Sequence, residues 1–177
     1  MSKKLRGHAA VVNRAELLDI YRELRYPHGA IARMAYLTAS RVGEVLPLGS
    51  GSVVGDDLLI YQEKTEKPKS VPMSRPLVEL VKSLPVSDRW FPGRAGGHLC
   101  YMAFNKELGR VVELLGLQGR GIRTHSFRRS RATHLDAAGV PHKAIMLLTG
   151  HSSLSSFERY LDASHAELGE YLAKIDG

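Results

Sequence analysis

The amino-acid sequence predicts a mainly α-helical domain with one small antiparallel β-sheet, an α+β fold. Three observations carry this expectation. Helical patterns with recognisable ends occupy the chain before Pro47 and after Leu99. The only convincing β-prone runs lie together, between Val53 and Met73. A length of 177 residues suffices for one domain with a substantial core but hardly for two.

The elements follow in order. Residues 1–13 carry Lys3, Lys4 and Arg6 with no acid and read as a basic N-terminal arm. Asn13 and Glu16 have the spacing of a capping box, opening a helix that runs to about Leu24. A mostly apolar helix spans about Gly29 to Thr38, and a third begins near Ser40 and stops before Pro47. The turn Gly49-Ser50-Gly51-Ser52 breaks the helical pattern. Val53-Val54 and Leu58 to Tyr61 are short strands, and Ser70 to Met73 is a third after a lysine-rich turn. Ser74 is placed to cap a helix whose apolar stripe is Leu77, Leu80, Val81 and Leu84. Residues 85–98 form a long loop around Trp90, and from Leu99 the chain reads as helices at about 99–115, 126–138, 141–149, 153–161 and 165–175. Pro141 suits a first helical turn and Gly150 the residue just past a helix end.

Lys and Arg together number 25 against 18 for Asp and Glu, a formal charge of +7. Such a surface attracts polyanions, of which nucleic acid is the commonest large one. A single cysteine, Cys100, excludes an internal disulfide framework. No apolar run follows the basic N-terminus, and none approaches the ~20 residues that cross a bilayer. A soluble, cytoplasmic protein without membrane contact is expected.

The chemistry concentrates in a few segments. GRGIRTHSFRRSRATHL, residues 119–135, holds Arg120, Arg123, Arg128, Arg129 and Arg131, with no acid between Glu113 and Asp136. His125 and Arg128 stand three apart, so one helix face can present both to a single small anion. Arg129 falls about 100° further round, so the five arginines cannot share one target. Taken alone, the segment fits a solvated basic face with one core histidine equally well. Arg41, in TASRVGEVLPL, opens a helix, where the dipole disfavours a cation unless an anion sits between. Glu44, one turn on, can hold the helix start or orient a basic neighbour. The hairpin turn QEKTEKPKSVPM supplies Lys64, Lys67 and Lys69, and LLTGHSSLSSFERYLD places His151 nine residues before Tyr160. Each segment has an ordinary explanation by itself.

As an ordered set, Arg41, Lys64, His125-x-x-Arg128, Gly150-His151 and Tyr160 resemble the catalytic domain of the tyrosine recombinase (phage integrase) family. The resemblance covers about residues 13–163 and includes the interval from Lys64 to Val71-Pro72. It implies a site-specific recombinase or integrase that cuts and rejoins double-stranded DNA through a covalent 3′-phosphotyrosyl link to Tyr160. Arg41 and Arg128 would clamp the scissile phosphate, which their forked guanidinium groups suit better than lysine does. His125 would take or relay the tyrosine proton, His151 would donate to the phosphate, and Lys64 would be the general acid. Lys67 and Lys69 could replace Lys64 if the hairpin register differed. With Arg123, Arg129 and Arg131 they are also candidate contacts to DNA phosphates, and Glu44 is a supporting residue. No metal or cofactor is expected.

The resemblance further implies a homo-oligomer, a tetramer in the DNA synapse, together with accessory DNA-bending proteins and a cytoplasmic, nucleoid-associated setting. Residues 14–163 would form the catalytic domain. Residues 164–177, with Leu168, Tyr171, Leu172 and Ile175 on one stripe, would form a C-terminal helix that docks on a neighbouring subunit or packs back on its own. The chain departs from most of the family in lacking a core-binding domain of about a hundred residues ahead of the first helix, through natural shortness or excision. A type IB topoisomerase or a non-catalytic DNA-binding regulator on the same fold are the competing readings. A metallohydrolase built on His125, His134 and His151 lacks credible ligand spacing.

Overall fold

A computed structural model describes residues 9–62, 66–93 and 96–151. The helices are α1 (Arg14–Glu23), α2 (His28–Leu37), α3 (Val42–Val45), α4 (Arg75–Lys82), α5 (Tyr101–Leu114), α6 (Thr124–Ala137) and α7 (His142–Thr149). The strands β1 (Val53–Val54), β2 (Asp57–Gln62) and β3 (Lys67–Pro72) form one antiparallel sheet in the order β1-β2-β3, with Leu58 opposite Val71 and Ile60 opposite Lys69. The fold is therefore mainly α with a small antiparallel sheet, as the sequence predicts.

Local chemistry explains several boundaries. The Asn13 side chain accepts from the Glu16 backbone at 2.9 Å, and Glu16 accepts from the Asn13 backbone at 3.1 Å, so α1 starts with the expected capping box. Ser74 has the backbone conformation of an N-cap, but its hydroxyl makes no capping bond; Pro76 in the first turn needs no donor partner. The third helix is a single turn, shorter than its pattern suggests. Gly150 ends α7 in the left-handed region at φ 71°, where a side chain would also strike Gln62 of β2. The candidate helices at 153–161 and 165–175, and the first eight residues of the arm, lie outside the described residues.

One core joins α1, α2, α4 and α5 to the inner faces of the sheet and α6, through Ile20, Ile31, Met34, Leu58, Ile60, Phe104 and Phe127. Two segments expected to be peripheral belong to it. Val12 is fully buried; its N–H donates to Ser130 Oγ at 2.8 Å, so residues 9–13 are docked along α6 and are not a free arm. The long loop also turns inward: Trp90 and Phe91 are buried, and the Trp90 N–H donates to the Leu48 carbonyl at 2.9 Å. Trp and Phe in a loop pattern read as solvent-exposed to any rule based on periodicity, yet their apolar area drives them inside.

The loop and the end of α3 meet at Gly49, where a Cβ would stand 2.0 Å from the Asp88 carbonyl oxygen. Backbone cannot move as a flexible side chain can, so Gly49→Ala forces the two segments apart. We expect a loss of about 2–3 kcal/mol in urea unfolding followed by the fluorescence of Trp90, the only tryptophan.

Candidate active site

Four segments distant in sequence deliver polar side chains to one region. The turn that leaves α2 carries Thr38, Ala39, Ser40 and Arg41; α6 carries His125 and Arg128; the end of α7 carries Thr149 and His151; and β3 carries Lys69. Ala39 sits at φ 48°, a left-handed conformation that costs an alanine about 1 kcal/mol and turns its carbonyl inward. Arg128, fully buried, donates from Nη1 to that carbonyl at 3.1 Å. Its Nη2 lies 3.5 Å from His151 Nε2.

Glu44 fixes Arg41. One carboxylate oxygen accepts from the Arg41 guanidinium at 2.6 Å, and the other accepts from the Arg41 backbone N–H at 2.9 Å. The carboxylate side chain is 3% exposed and the arginine 31%. This is not the weak surface pair that the spacing alone would allow. A buried carboxylate and a half-exposed guanidinium form a charge-assisted bond in a low-dielectric setting, with the cation turned toward an open cleft. That cleft has a volume of about 850 Å³ and is lined by Arg41, Glu44, His98, Tyr101, Thr124 and His125, among others. His98 and Tyr101 carry no signal in the sequence, because the loop that brings them here has no regular period. The Tyr101 hydroxyl lies 2.8 Å from Thr124 Oγ1, tying the first residues of α5 and α6.

Both histidines have defined states. The His125 imidazole is held neutral: desolvation lowers its pKa below 6.5, the positive charges of Arg128 and Arg41 lower it further, and Glu44 opposes them. For His151, the decisive neighbour is Thr149. The Thr149 hydroxyl lies 2.8 Å from the Ile145 carbonyl and 3.3 Å from that of Met146, both acceptors only, so its proton is committed there. The 2.8 Å contact to His151 Nδ1 then requires Nδ1–H to donate. Nε2 lies 3.5 Å from the Arg128 guanidinium. With Nδ1–H directed at Thr149, donation from Nε2 to an anion requires the imidazolium, which carries a proton on each ring nitrogen.

The remaining candidates separate. Lys69, expected at a solvent-exposed turn as a phosphate contact, is buried, and its Nζ donates to the carbonyls of Thr38 at 2.9 Å and Leu148 at 2.7 Å. Two β-strand residues on, Val71 is also buried, whereas Lys67 at the start of the strand is exposed. Arg129, another candidate phosphate contact, is buried and donates to the Ala9 carbonyl at 3.1 Å. The Arg131 guanidinium lies 5.3 Å from the centre of the Tyr36 ring. Helical geometry explains the split: consecutive arginines on α6 point to different neighbours. Arg123, at the start of α6, is exposed. Lys64 and Tyr160 lie outside the described residues. No cluster of metal-ligating side chains occurs among the described residues, which leaves His125, His134 and His151 without a shared site there.

The neutral state of His125 can be measured directly. In a proton NMR titration its ring should protonate only below pH 6.5, and Arg41→Met should move the midpoint upward by removing a nearby positive charge. A midpoint above 6.5 in the unaltered protein would contradict the assigned environment.

With this geometry established, comparison with known proteins is informative. The phage integrase family matches residues 11–167. Tyrosine recombinase XerD of Rhizobium meliloti (strain 1021) is 27% identical over 167 residues, covering 89% of this chain and 53% of the relative. Tyrosine recombinase XerC of Neisseria meningitidis serogroup C / serotype 2a is 32% identical over 146 residues, covering 77% of this chain and 48% of the relative. The chain thus spans about half the length of these curated relatives. Among solved structures, a XerH site-specific recombinase bound to palindromic difH substrate superposes with a TM-score of 0.78 at 20% identity, covering 100% of this chain and 56% of that one. The catalytic domain of bacteriophage HP1 integrase gives 0.67 at 22% identity, covering 86% and 87%. A family match across residues 11–167, joined to this shared fold, shows that the chain belongs to the phage integrase family, the tyrosine recombinases.

Proposed function

We propose that this chain cleaves and rejoins double-stranded DNA by transesterification, with Tyr160 as the nucleophile and no metal ion. The observation that supports this reading is that three separate segments bring Arg41 and His125 to the wall of one open cleft and Arg128 and His151 into contact with each other, with Arg128 bonded to Ala39 of the same turn as Arg41. Arg41 offers a guanidinium held by Glu44 at the cleft wall, suited to the non-bridging oxygens of a phosphodiester. Neutral His125 can accept the phenolic proton as the Tyr160 oxygen bonds to phosphorus. The bond to the 5′-oxygen breaks, and that oxygen takes a proton from Lys64. A 3′-phosphotyrosyl link and a free 5′-hydroxyl result. Attack by a 5′-hydroxyl reverses the step, so bond energy is conserved and religation needs no nucleotide cofactor.

His151 has two parts in this scheme. Its accepting Nε2 orients Arg128 in the free protein, and as imidazolium it would donate to the phosphate when the dianionic transition state forms. Exposed Arg123 and Lys67 would follow the DNA backbone, so affinity should fall steeply with salt. The relatives include a lambda integrase tetramer bound to a Holliday junction. By analogy, four copies of the full protein would act together in the synapse.

The test uses nicked duplexes tiled over the DNA flanking the gene, in EDTA, resolved on a denaturing gel. A covalent protein–DNA band should form with the unaltered chain and vanish in Tyr160→Phe. A band that requires divalent metal would overturn the metal-free scheme, and one that survives Tyr160→Phe would overturn the nucleophile. Arg41→Lys, which keeps the charge and loses the fork, should slow cleavage by about 10²–10³-fold. The acid limb of the cleavage profile should lie below pH 6.5, because protonated His125 cannot take the phenolic proton.

A further inference from the structure

The buried ammonium of Lys69 needs an explanation. A methionine would fill its space without the penalty of taking a charge out of water. Its two hydrogen bonds go to Thr38, three residues before Arg41, and to Leu148, three residues before His151. The same turn of α7 is braced a second time from the sheet, where the Gln62 side chain packs so closely on Gly150 that a Cβ there would lie 2.2 Å from it. Strands β2 and β3 therefore hold the two turns that present the arginine and the histidine, and Lys69 bonds to both.

We propose that Lys69 is a positioning residue of the strand-transfer site, setting the separation between the turn that carries Arg41 and the end of α7 that carries His151. The proposal rests on the strand-transfer reading for its catalytic consequence, though the pin itself is a property of the free protein. Lys69 does not reach DNA, because it is buried and its nitrogen is committed to the backbone carbonyls of Thr38 and Leu148. It acts through the turns. Among the described residues, the charged groups that face it are Arg41 and Glu44 from the α3 turn and Arg128 from α6, with the His151 ring beyond Arg128. Burial, then Arg128 and Arg41, lower its pKa to about 7, while Glu44 opposes them. A bound phosphate adds negative charge nearby and favours the protonated form, so the pin tightens when the substrate arrives. The sign is definite: the ammonium bonds to both carbonyls below pH 7 and is lost as pH rises through that value in the free protein.

Lys69→Met and Lys69→Arg provide the test, each first checked for cooperative thermal unfolding. In the DNA-free protein, the ring signals of His151 should shift in Lys69→Met, since the turn loses one of its two braces. With nicked DNA at saturation, Lys69→Met should cleave about 10²-fold more slowly, a loss typical of ångström-scale misplacement, while its Kd stays within about threefold. The cleavage rate divided by Kd should carry an alkaline limb near pH 7 in the unaltered chain. That limb should vanish in Lys69→Met and move beyond the measured range in Lys69→Arg, whose charge persists. A merely structural lysine would not remove a pH limb. Unchanged His151 signals, cleavage within twofold of the unaltered chain, or parallel losses of binding and cleavage with the limb intact would each overturn the proposal. If the unaltered chain forms no Tyr160-dependent adduct, the strand-transfer reading fails by itself, and the His151 signals alone then decide whether Lys69 is a pin.

Discussion

Two helix ends converge at the centre of this molecule, and their unpaired carbonyls have to be satisfied away from water. The turn leaving α2 offers the carbonyls of Thr38 and Ala39, and the last turn of α7 offers that of Leu148. An α-helix cannot pair its final carbonyls internally, and its C-terminal dipole favours a cation. Lys69 and Arg128 meet both needs. The interaction that completes the backbone hydrogen bonding of the fold is therefore the same one that gathers positive charge under the cleft. Site and scaffold cannot be separated here.

That arrangement has an electrostatic cost, since burial and the nearby charges of Arg128 and Arg41 disfavour the protonated form of Lys69. Buried Glu44 is the only carboxylate that the geometry sets against them among the described residues. It is bound to Arg41, while Arg128 and Lys69 donate to backbone carbonyls. Arg41 thus lines the open cleft beside Glu44, while Arg128 and Lys69 are buried behind the same turn. Ala39 adds a second stored cost, a left-handed backbone in a residue that has a Cβ.

Helix α6 shows how a single basic segment can be divided among tasks. Arg128 faces the α2 turn, Arg129 caps the docked N-terminal segment through Ala9, Arg131 lies over Tyr36, and Arg123 stays at the surface. Steps of about 100° along the helix send neighbours to different walls. Residues 9–13 pack on the same helix, where Ser130, between Arg129 and Arg131, accepts the Val12 N–H.

The sequence alone determined the fold class, the capping box at Asn13 and Glu16, the Gly150 helix end, the hairpin and the ordered polar set that marks the family. These are local patterns, written in periodicity, turn chemistry and spacing, and they need no knowledge of the rest of the chain. Only tertiary structure decided which basic residues face the cleft and which are consumed inside. Lys67 and Lys69 look alike as text, but strand alternation and the position of two helix ends bury the second and leave the first in water. Arg129 differs from Arg128 by one residue and goes to another partner for the same kind of reason. The proton on His151 Nδ1 depended on which carbonyls were in reach of Thr149, and the burial of Trp90 and Phe91 on their packing into the shared core. Such outcomes rest on distances between residues far apart in the chain, and no spacing along it records them.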